Sequence, residues 1–363
     1  MRPTTSRRVK GPWRVAAERL FLYRDATFWL NELAPTGALR SRARVVRVVD
    51  ETADTRTFVL QPNRFWHSHR AGQYLPIEVE IDGVRTRRCY SISSAPAARD
   101  GVSITVKQVP GGRVSNWMHD NLSAGDVIGI GEAAGDFVLP DRLPGKILFL
   151  TGGSGITPVF ALLEDIACAD RLDDVVLVHS APHFDDVIFR ERLRALAERH
   201  PGFRLILNLT REPAAGGRLD SKRLAALVPD FRQRESWLCG PEGFMDRMLA
   251  LWEVEGIRHQ IHEERFVATV SLVDPGDVRS VNVTLTRSGR SFATTGSATL
   301  LDQAERAGAN PASGCRMGIC QTCKCTKRAG AVENLRTGRI STEENEEIQL
   351  CISVPRSDVE IDL

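Results

Sequence analysis

The chain reads Ser313-Gly314-Cys315-Arg316-Met317-Gly318-Ile319-Cys320-Gln321-Thr322-Cys323 near its C-terminus, and a further cysteine, Cys351, follows much later. Three thiolates from one loop and a distant fourth form the Cys-x4-Cys-x2-Cys…Cys spacing that holds a [2Fe-2S] cluster. Gly314 and Gly318 are expected to give this loop positive φ angles, so that it closes on the cluster. The spacing therefore predicts one-electron chemistry, with four iron ligands: Cys315, Cys320, Cys323 and Cys351.

Two other uses of these cysteines remain open at this point. A four-thiolate zinc site normally shows two tight pairs of cysteines, and a set of disulfides would suit a small secreted domain. The chain has eight cysteines and no signal-peptide pattern, which favours a reducing compartment where thiols bind metals. We therefore expect a cytoplasmic protein.

Length and composition indicate a multidomain globular protein. A chain of 363 residues exceeds what one hydrophobic core usually organises, so two or three domains are expected. The net charge is only +2, which gives no reason to expect a nucleic-acid partner. The longest apolar runs are far shorter than the roughly 20 residues of a membrane-spanning helix.

Residues 1–38 form an N-terminal extension with its own pattern. Basic residues open it, and apolar residues then recur at helical spacing, including Trp13, Leu20 and Phe21. One interpretation is an amphipathic helix at the inner face of a membrane, with its basic residues on anionic lipid. The other is a helix packed on the domain that follows. The sequence leaves both open.

The pattern of apolar residues changes twice after the extension. Residues 39–142 hold short alternating stretches punctuated by Gly and Pro, which predicts an antiparallel barrel. Residues 143–266 alternate short apolar strands with helical stretches such as Val187 to Glu198, which predicts a parallel sheet. Residues 267–278 look like a linker, and residues 279–363 form the cysteine-bearing domain.

Two motifs within the predicted barrel fit a flavin. In Arg88-Cys89-Tyr90-Ser91, Arg88 can pair bidentately with a pyrophosphate. Tyr90 offers a flat ring to an isoalloxazine, and Ser91 can donate to the reactive N5 edge. Such a string is weak alone, because Arg and Tyr on one strand are commonly a surface pair. The segment Gly111 to Asn116 begins a helix whose free N–H groups suit a second phosphate contact.

Two glycine-containing motifs flank the predicted parallel sheet. Leu150-Thr151-Gly152-Gly153-Ser154-Gly155-Ile156-Thr157-Pro158 follows a strand and opens a helix, where a dinucleotide's phosphates can approach the backbone. Leu238-Cys239-Gly240-Pro241 follows the last predicted strand. Either string alone could be an ordinary strand-to-helix turn. Thr157 is expected to face the nicotinamide and the flavin.

The choice between NADPH and NADH is less clear from the sequence. Arg211 and Arg218 follow the strand Leu205 to Leu209 and could hold a 2′-phosphate, whereas NADH enzymes often present an acid to the ribose. The segment after Val178 lacks the arginine that a clear NADPH enzyme would show there. We expect NADPH, with solvated surface arginines as the alternative.

From about Ser41 to Leu363 the chain resembles the FAD-dependent ferredoxin reductase-like oxidoreductases that carry a C-terminal ferredoxin domain. The resemblance rests on the motifs quoted above and on their order: flavin, nucleotide, cluster. It implies an antiparallel β-barrel FAD domain, an α/β parallel-sheet NAD(P) domain and an α+β β-grasp [2Fe-2S] domain. The catalytic residues implied are Tyr90, Ser91, Thr157 and Cys239. The cofactor-binding residues implied or expected are Arg88, Tyr90, Ser91, Gly112, Val114, Ser115, Gly152, Gly153, Gly155, Thr157, Arg211, Arg218, Cys239, Gly240 and Pro241.

The resemblance also implies a mechanism and a class of partner. NAD(P)H would pass a hydride to flavin N5, and the flavin would return two electrons singly through the cluster to an external acceptor. The N-terminal extension looks most like that of the electron transfer partners of acyl-CoA desaturases, so we expect a membrane desaturase as acceptor. A soluble oxygenase or a cytochrome P450 is the alternative. A redox-sensing binding protein without turnover is a more distant one.

Overall fold

The structure is a computed structural model, and it describes residues 41–212, 217–266, 280–294, 298–314, 316, 318, 321–335 and 337–363. For Val84 and Arg85 it describes only the backbone. The predicted N-terminal extension and linker lie outside the described residues, as do two of the predicted cluster ligands, Cys315 and Cys320.

The first sheet is the predicted antiparallel barrel. Its six strands have the order β4-β3-β6-β1-β2-β5. Alternate side chains of these strands face one core, in which Phe58, Leu75 and Ile104 are fully buried. A helix, α1, packs on the same core. The bounds are β1 Arg42–Thr52, β2 Thr55–Pro62, β3 Tyr74–Ile81, β4 Val84–Ser91, β5 Val102–Lys107, α1 Arg113–Asn121 and β6 Val127–Ile130.

The second sheet is the predicted parallel sheet, with the strand order β11-β10-β7-β8-β9. Every residue of β7 and β8 is buried, as expected for strands covered by helices on both faces. The predicted helix at Val187 begins only at Arg190, because Phe189 has a left-handed φ of 60°. The bounds are β7 Ile147–Gly152, α2 Ile156–Cys168, β8 Val175–Ala181, α3 Arg190–Arg199, β9 Phe203–Leu209, α4 Ser221–Leu227, β10 Glu235–Cys239, α5 Glu242–Val254 and β11 Ile261–Glu264.

The C-terminal part has a mixed five-stranded sheet of order β13-β12-β19-β14-β17 and a small three-stranded sheet of order β16-β15-β18. One helix, α6, packs on the core that these sheets share with Cys323 and Cys351. The bounds are β12 Val281–Leu285, β13 Arg290–Thr294, α6 Leu300–Arg306, β14 Lys324–Ala329, β15 Val332–Asn334, β16 Ile340–Ser341, β17 Glu346–Gln349, β18 Ser353–Pro355 and β19 Val359–Ile361. The predicted three-part fold class is confirmed.

The barrel and the parallel sheet share a packed boundary. Phe137 and Leu139, which follow the last barrel strand, lie in the same apolar cluster as Phe160 of α2 and Trp237 of β10. The indole Nε1 of Trp237 donates to Val138 O at 3.3 Å. Across the same boundary, Ser91 at the end of β4 contacts Glu264 at the carboxyl end of β11. Within the described ranges, no helix is both long enough and apolar enough to cross a bilayer.

Candidate functional site

Strand β4 presents two of the predicted flavin residues, Arg88 and Tyr90, on one face. In the β3–β4 ladder, Arg88 lies opposite Ile77 and Tyr90 lies opposite Leu75. Because alternate residues of a strand share a face, Arg88 and Tyr90 point to the same side. Burial raises the pKa of the Tyr90 phenol, so the ring stays neutral at physiological pH. A neutral, half-buried aromatic ring is what stacking on an isoalloxazine requires.

The N-terminus of α1 fits an anion. Its N-cap residue, Gly112, supplies no side-chain cap, and the first turn holds no acidic residue. A Cβ on Gly112 would lie 2.5 Å from Ser115 Oγ and 3.0 Å from Val109 O, so a side chain has no room there. Ser115 Oγ accepts from the Val109 N–H at 3.4 Å, and the Val114 side chain is buried in the barrel core. Main-chain N–H groups are therefore what this segment offers to an anion.

The two nucleotide motifs pack directly on each other. A Cβ on Gly155 would lie 2.2 Å from Cys239 O, and one on Gly240 would lie 3.0 Å from Gly152 N. The glycines are thus required because two backbones meet where side chains would collide. Gly153 has φ 52°, and a Cβ there would meet nothing within 4 Å, which leaves space beside the start of α2. Such an open, backbone-lined position fits a coenzyme phosphate.

Thr157 and Cys239 are both buried at this junction. The Thr157 hydroxyl donates to Ser154 O at 2.9 Å, which secures the first turn of α2. Cys239 ends β10 and is fully buried, and burial raises the pKa of its thiol. The thiol is therefore protonated, and it acts as a small, neutral group and not as a nucleophile.

Glu264 is a site residue that the sequence reasoning missed. It ends β11 opposite Cys239 in the parallel ladder, and Ser91 Oγ donates to Glu264 Oε2 at a long 3.4 Å. Burial raises the pKa of Glu264 to about 8, and the hydrogen bond from Ser91 opposes this rise. The carboxyl group therefore carries a proton at pH 7. Glu264 is thus hydrogen-bonded to Ser91 of the barrel and lies beside Cys239 in the parallel sheet.

A signal for Glu264 was present in the sequence. Glu263-Glu264-Arg265 follows Ile261 and His262, and acids at the carboxyl end of a parallel strand lie at the crevice where ligands bind. The signal was weak because β11 is only Ile261–Glu264, too short to stand out by its pattern of apolar residues.

The two arginines expected near a 2′-phosphate lie after β9 and are both exposed. The Arg211 N–H donates to Pro182 O at 3.0 Å, which fixes its backbone beside the end of β8. The carboxylate of the neighbouring Glu212 accepts a hydrogen bond from the Phe184 N–H at 2.9 Å. Within the described residues neither Arg211 nor Arg218 has an acidic partner. Both follow the end of β9, and ligands of open α/β sheets bind outside the carboxyl ends of the strands.

Half of the predicted cluster site falls on described residues. Cys323 and Cys351 are each only 3% exposed, and the Leu350 N–H donates to Cys323 O at 3.1 Å. The Gly318 N–H donates to Cys351 Sγ at 3.2 Å, the kind of amide-to-sulfur bond that cluster loops provide. These two thiols and this amide fit a [2Fe-2S] cluster. The other two ligands, Cys315 and Cys320, remain predictions.

The loop backbone differs from the expectation at one glycine. Gly318 has the predicted positive φ, 73°, but Gly314 is not among the positive-φ glycines of the described residues. Two non-glycine residues, Arg316 and Gln321, have φ of 59° and 54° instead. Arg316 can hold this conformation because its guanidinium pairs with Asp302 and Glu305 of α6. The loop is therefore held partly by a side chain and not by glycine alone.

The cluster loop also contacts the flavin strand. Arg88 Nη1 donates to Gly314 O at 2.9 Å, although the two residues are 226 positions apart in the chain. Strand β4 thus has two such contacts. Ser91, its last residue, contacts Glu264, and Arg88 contacts the cluster loop.

Comparison with known protein families divides the chain into the same three parts. Residues 42–138 match the oxidoreductase FAD-binding domain. Residues 149–249 match the oxidoreductase NAD-binding domain. Residues 283–356 match the 2Fe-2S iron-sulfur cluster binding domain. FAD, a nicotinamide coenzyme and a [2Fe-2S] cluster are therefore the cofactors of this chain.

Similar proteins carry all three parts. An NADPH oxidoreductase of Mycobacterium tuberculosis is 40% identical, over 89% of this chain and 84% of the relative. The glycine betaine monooxygenase reductase subunit of Pseudomonas aeruginosa is 37% identical, over 89% of this chain and 95% of the relative. The fold is also that of phthalate dioxygenase reductase, with a TM-score of 0.60 and 21% identity over 89% of this chain and 97% of that one. The chain belongs to the family of FAD- and NAD(P)H-dependent oxidoreductases that carry a C-terminal [2Fe-2S] domain.

Proposed function

We propose that this protein is the reductase component of an oxygenase system, which passes electrons from NAD(P)H through FAD and the cluster to a terminal oxygenase. The observation that carries the proposal is that strand β4 contacts both the parallel sheet and the cluster loop. Its Ser91 contacts Glu264 beside Cys239, and its Arg88 contacts the carbonyl of Gly314 in the cluster loop. The motifs for all three cofactors therefore converge on one strand. The similarity to a monooxygenase reductase subunit supports an oxygenase as acceptor.

The residues of the chain bind and orient the cofactors. FAD, when bound, takes two electrons from the reduced coenzyme, and the cluster passes them on singly. Arg88 and the α1 N-terminus are proposed to hold the diphosphate of FAD, and Tyr90 to stack on its ring. The buried Ser91, Thr157 and Cys239 exclude water from the cleft between the two larger domains. Glu264 keeps a proton within reach of Ser91 Oγ.

NADPH is the proposed coenzyme. Arg211 and Arg218 are exposed at the sheet edge, and the similar mycobacterial protein is named an NADPH oxidoreductase. The test is the steady-state rate with each coenzyme, in the wild type and in the R211Q and R218Q variants. NADPH preference should fall in the variants while the NADH rate changes little. An equal loss with both coenzymes would contradict a 2′-phosphate role.

Steady turnover tests the reductase function itself. With NADPH in excess, the protein should reduce cytochrome c continuously, and C351S should abolish this reduction while FAD is still reduced by the coenzyme. Bleaching of FAD by one portion of coenzyme without continued cytochrome c reduction would instead favour the redox sensor.

A membrane desaturase, the acceptor expected from the sequence, is a second proposal that would replace the terminal oxygenase. It rests on the N-terminal extension, which lies outside the described residues. Deletion of residues 1–38 should abolish association with lipid vesicles or with desaturase-containing membranes if the acceptor is a desaturase. The same deletion should leave electron delivery unchanged if the acceptor is a soluble oxygenase or a cytochrome P450.

A further inference from the structure

The Arg88 guanidinium lies between the flavin motif and the cluster loop. Its Nη1 donates to Gly314 O at 2.9 Å and to the carbonyl of the neighbouring Arg87 at 2.8 Å. Gly314 is buried and directly precedes Cys315, the first predicted iron ligand. The contact is thus one peptide bond away from a predicted ligand residue.

Other bonds stiffen the loop beyond this contact. The Gly318 N–H donates to Cys351 Sγ at 3.2 Å, which joins the loop to the last predicted ligand. Arg316 pairs with Asp302 at 3.0 Å and with Glu305, which joins the loop to α6. Three described residues of the loop, Gly314, Arg316 and Gly318, are therefore each bonded to a different part of the chain: β4, α6 and Cys351.

The chemistry of arginine suits two simultaneous tasks. The guanidinium has five N–H donors in a rigid planar fork, so it can serve a phosphate and a carbonyl at once. Lysine has one compact ammonium group and no fork. The carbonyl bond is charge-assisted and partly buried, which makes it stronger than a neutral surface bond. The antiparallel ladder with β3 fixes the strand from which Arg88 projects.

We propose that Arg88 docks the cluster loop on the flavin domain through the carbonyl of Gly314, and is thereby a positioning residue for electron transfer from FAD to the cluster. This role is additional to its expected contact with the diphosphate of FAD. The proposal rests on the proposed reductase function, because it concerns one step of that electron path.

The test compares R88K with R87K by anaerobic stopped-flow absorbance, at saturating FAD. Arg87 is the matched control, because it projects from the opposite face of β4 and pairs with Glu78 at 2.7 Å. Flavin reduction by NADPH should stay within about twofold of wild type in R87K. In R88K the rate of flavin reduction measures any loss of FAD binding, and the slowing of cluster reduction is compared with it. Subsequent cluster reduction should slow about tenfold in R88K only, since a charge-assisted hydrogen bond is worth about that factor in a docking equilibrium.

Three results would overturn the inference or the function beneath it. Wild-type cluster reduction in R88K would end the docking role. Equal slowing of flavin reduction and cluster reduction would assign Arg88 to the flavin alone. Absence of flavin-to-cluster transfer in the wild type would instead contradict the proposed function.

A second measurement does not depend on FAD affinity. Hydrogen exchange is followed in cluster-loaded protein without FAD, in peptides that contain Gly314. Exchange in these peptides should be faster in R88K than in wild type or R87K, because the loop has lost its contact with β4. Identical exchange in the three proteins would show that Arg88 does not hold the loop.

Discussion

The Glu264 side chain of the parallel sheet is hydrogen-bonded to the barrel. It receives a hydrogen bond from Ser91 and lies beside Cys239 in the strand register. Within the part of the chain that the structure describes, no cation pairs with this buried carboxyl group, and burial is the main cause of its raised pKa of about 8. A group that titrates this close to physiological pH makes the cleft sensitive to pH.

The pH dependence of stability tests the environment of Glu264. Its pKa is raised from 4.5 to about 8 on folding, so between these values the folded state binds more protons than the unfolded state. Stability must therefore fall as pH rises through this window, with a slope of up to about 1.4 kcal/mol per pH unit. The E264Q variant lacks this loss. The difference between its Tm and that of wild type, measured by calorimetry, should shift in favour of E264Q as the pH rises from 5 to 8.

The control for this experiment is E253Q, which changes an exposed glutamate on α5. Its Tm should run parallel to that of wild type at every pH. If the E264Q curve is also parallel, the carboxyl group is not buried as the structure shows.

A glycine substitution tests the contact between the two nucleotide motifs. In G155A the new Cβ would lie 2.2 Å from Cys239 O, a backbone atom that cannot move aside cheaply. We expect a loss of about 1–3 kcal/mol in stability and a raised KM for the coenzyme. G145A is the matched control, since its Cβ would meet nothing within 4 Å. Its unfolding midpoint and KM should match wild type, and an equal effect of both variants would refute the close packing.

Single residues were predictable where their chemistry is local. Arg88, Tyr90 and the glycines of the nucleotide loop follow from short motifs, and the structure places them on the expected elements. Glu264 was not found, because the four-residue strand that carries it gives only a weak local signal and its role depends on a parallel pairing with β10. The positive φ of Arg316 was not found either, because ion pairs with a separate helix hold it.

At the scale of elements, the cluster loop depends on its anchorage to α6. Arg316 reaches Asp302 and Glu305 across one turn of that helix, and Leu300, Leu301 and Ala304 bury the opposite side of the helix in the core. The helix N-cap, Thr299, accepts from the Asp302 N–H at 3.2 Å. The helix is thus a rigid support for a loop that carries three predicted ligands.

Removal of this anchorage should make the cluster labile. R316Q loses both ion pairs, which are partly exposed and together worth about 1 kcal/mol. Loss of the cluster to a chelator, followed by visible absorbance, should accelerate about fivefold. R306Q removes an exposed arginine from the same helix and should release the cluster at the wild-type rate. Release at that rate from R316Q as well would show that α6 does not support the loop.

Elements were predictable to the extent that their periodicity is strong. The barrel strands and the buried strands β7 to β10 follow from their apolar patterns. Strand β11, with four residues, was not recognised. The late start of α3 was missed because the left-handed φ of Phe189 is unusual for an aromatic residue.

At the scale of the whole molecule, strand β4 of the barrel domain contacts both of the other domains. The order of the motifs along the chain predicted which cofactors it binds, and the family matches confirm the flavin, nucleotide and iron-sulfur parts. The convergence of Arg88, Ser91, Cys239 and Gly314 could not be predicted, because it depends on how separate domains pack. The acceptor is set by a docking surface, and such surfaces follow no sequence motif.

An anaerobic titration with NADPH, followed in the visible spectrum and by electron paramagnetic resonance, tests the central claim most directly. The protein should take up about 1.5 equivalents of NADPH, two electrons for the flavin and one for the cluster, and the signal of a reduced [2Fe-2S] cluster should appear. Bleaching of the flavin alone, with the cluster left oxidised, would contradict electron transfer from FAD to the cluster.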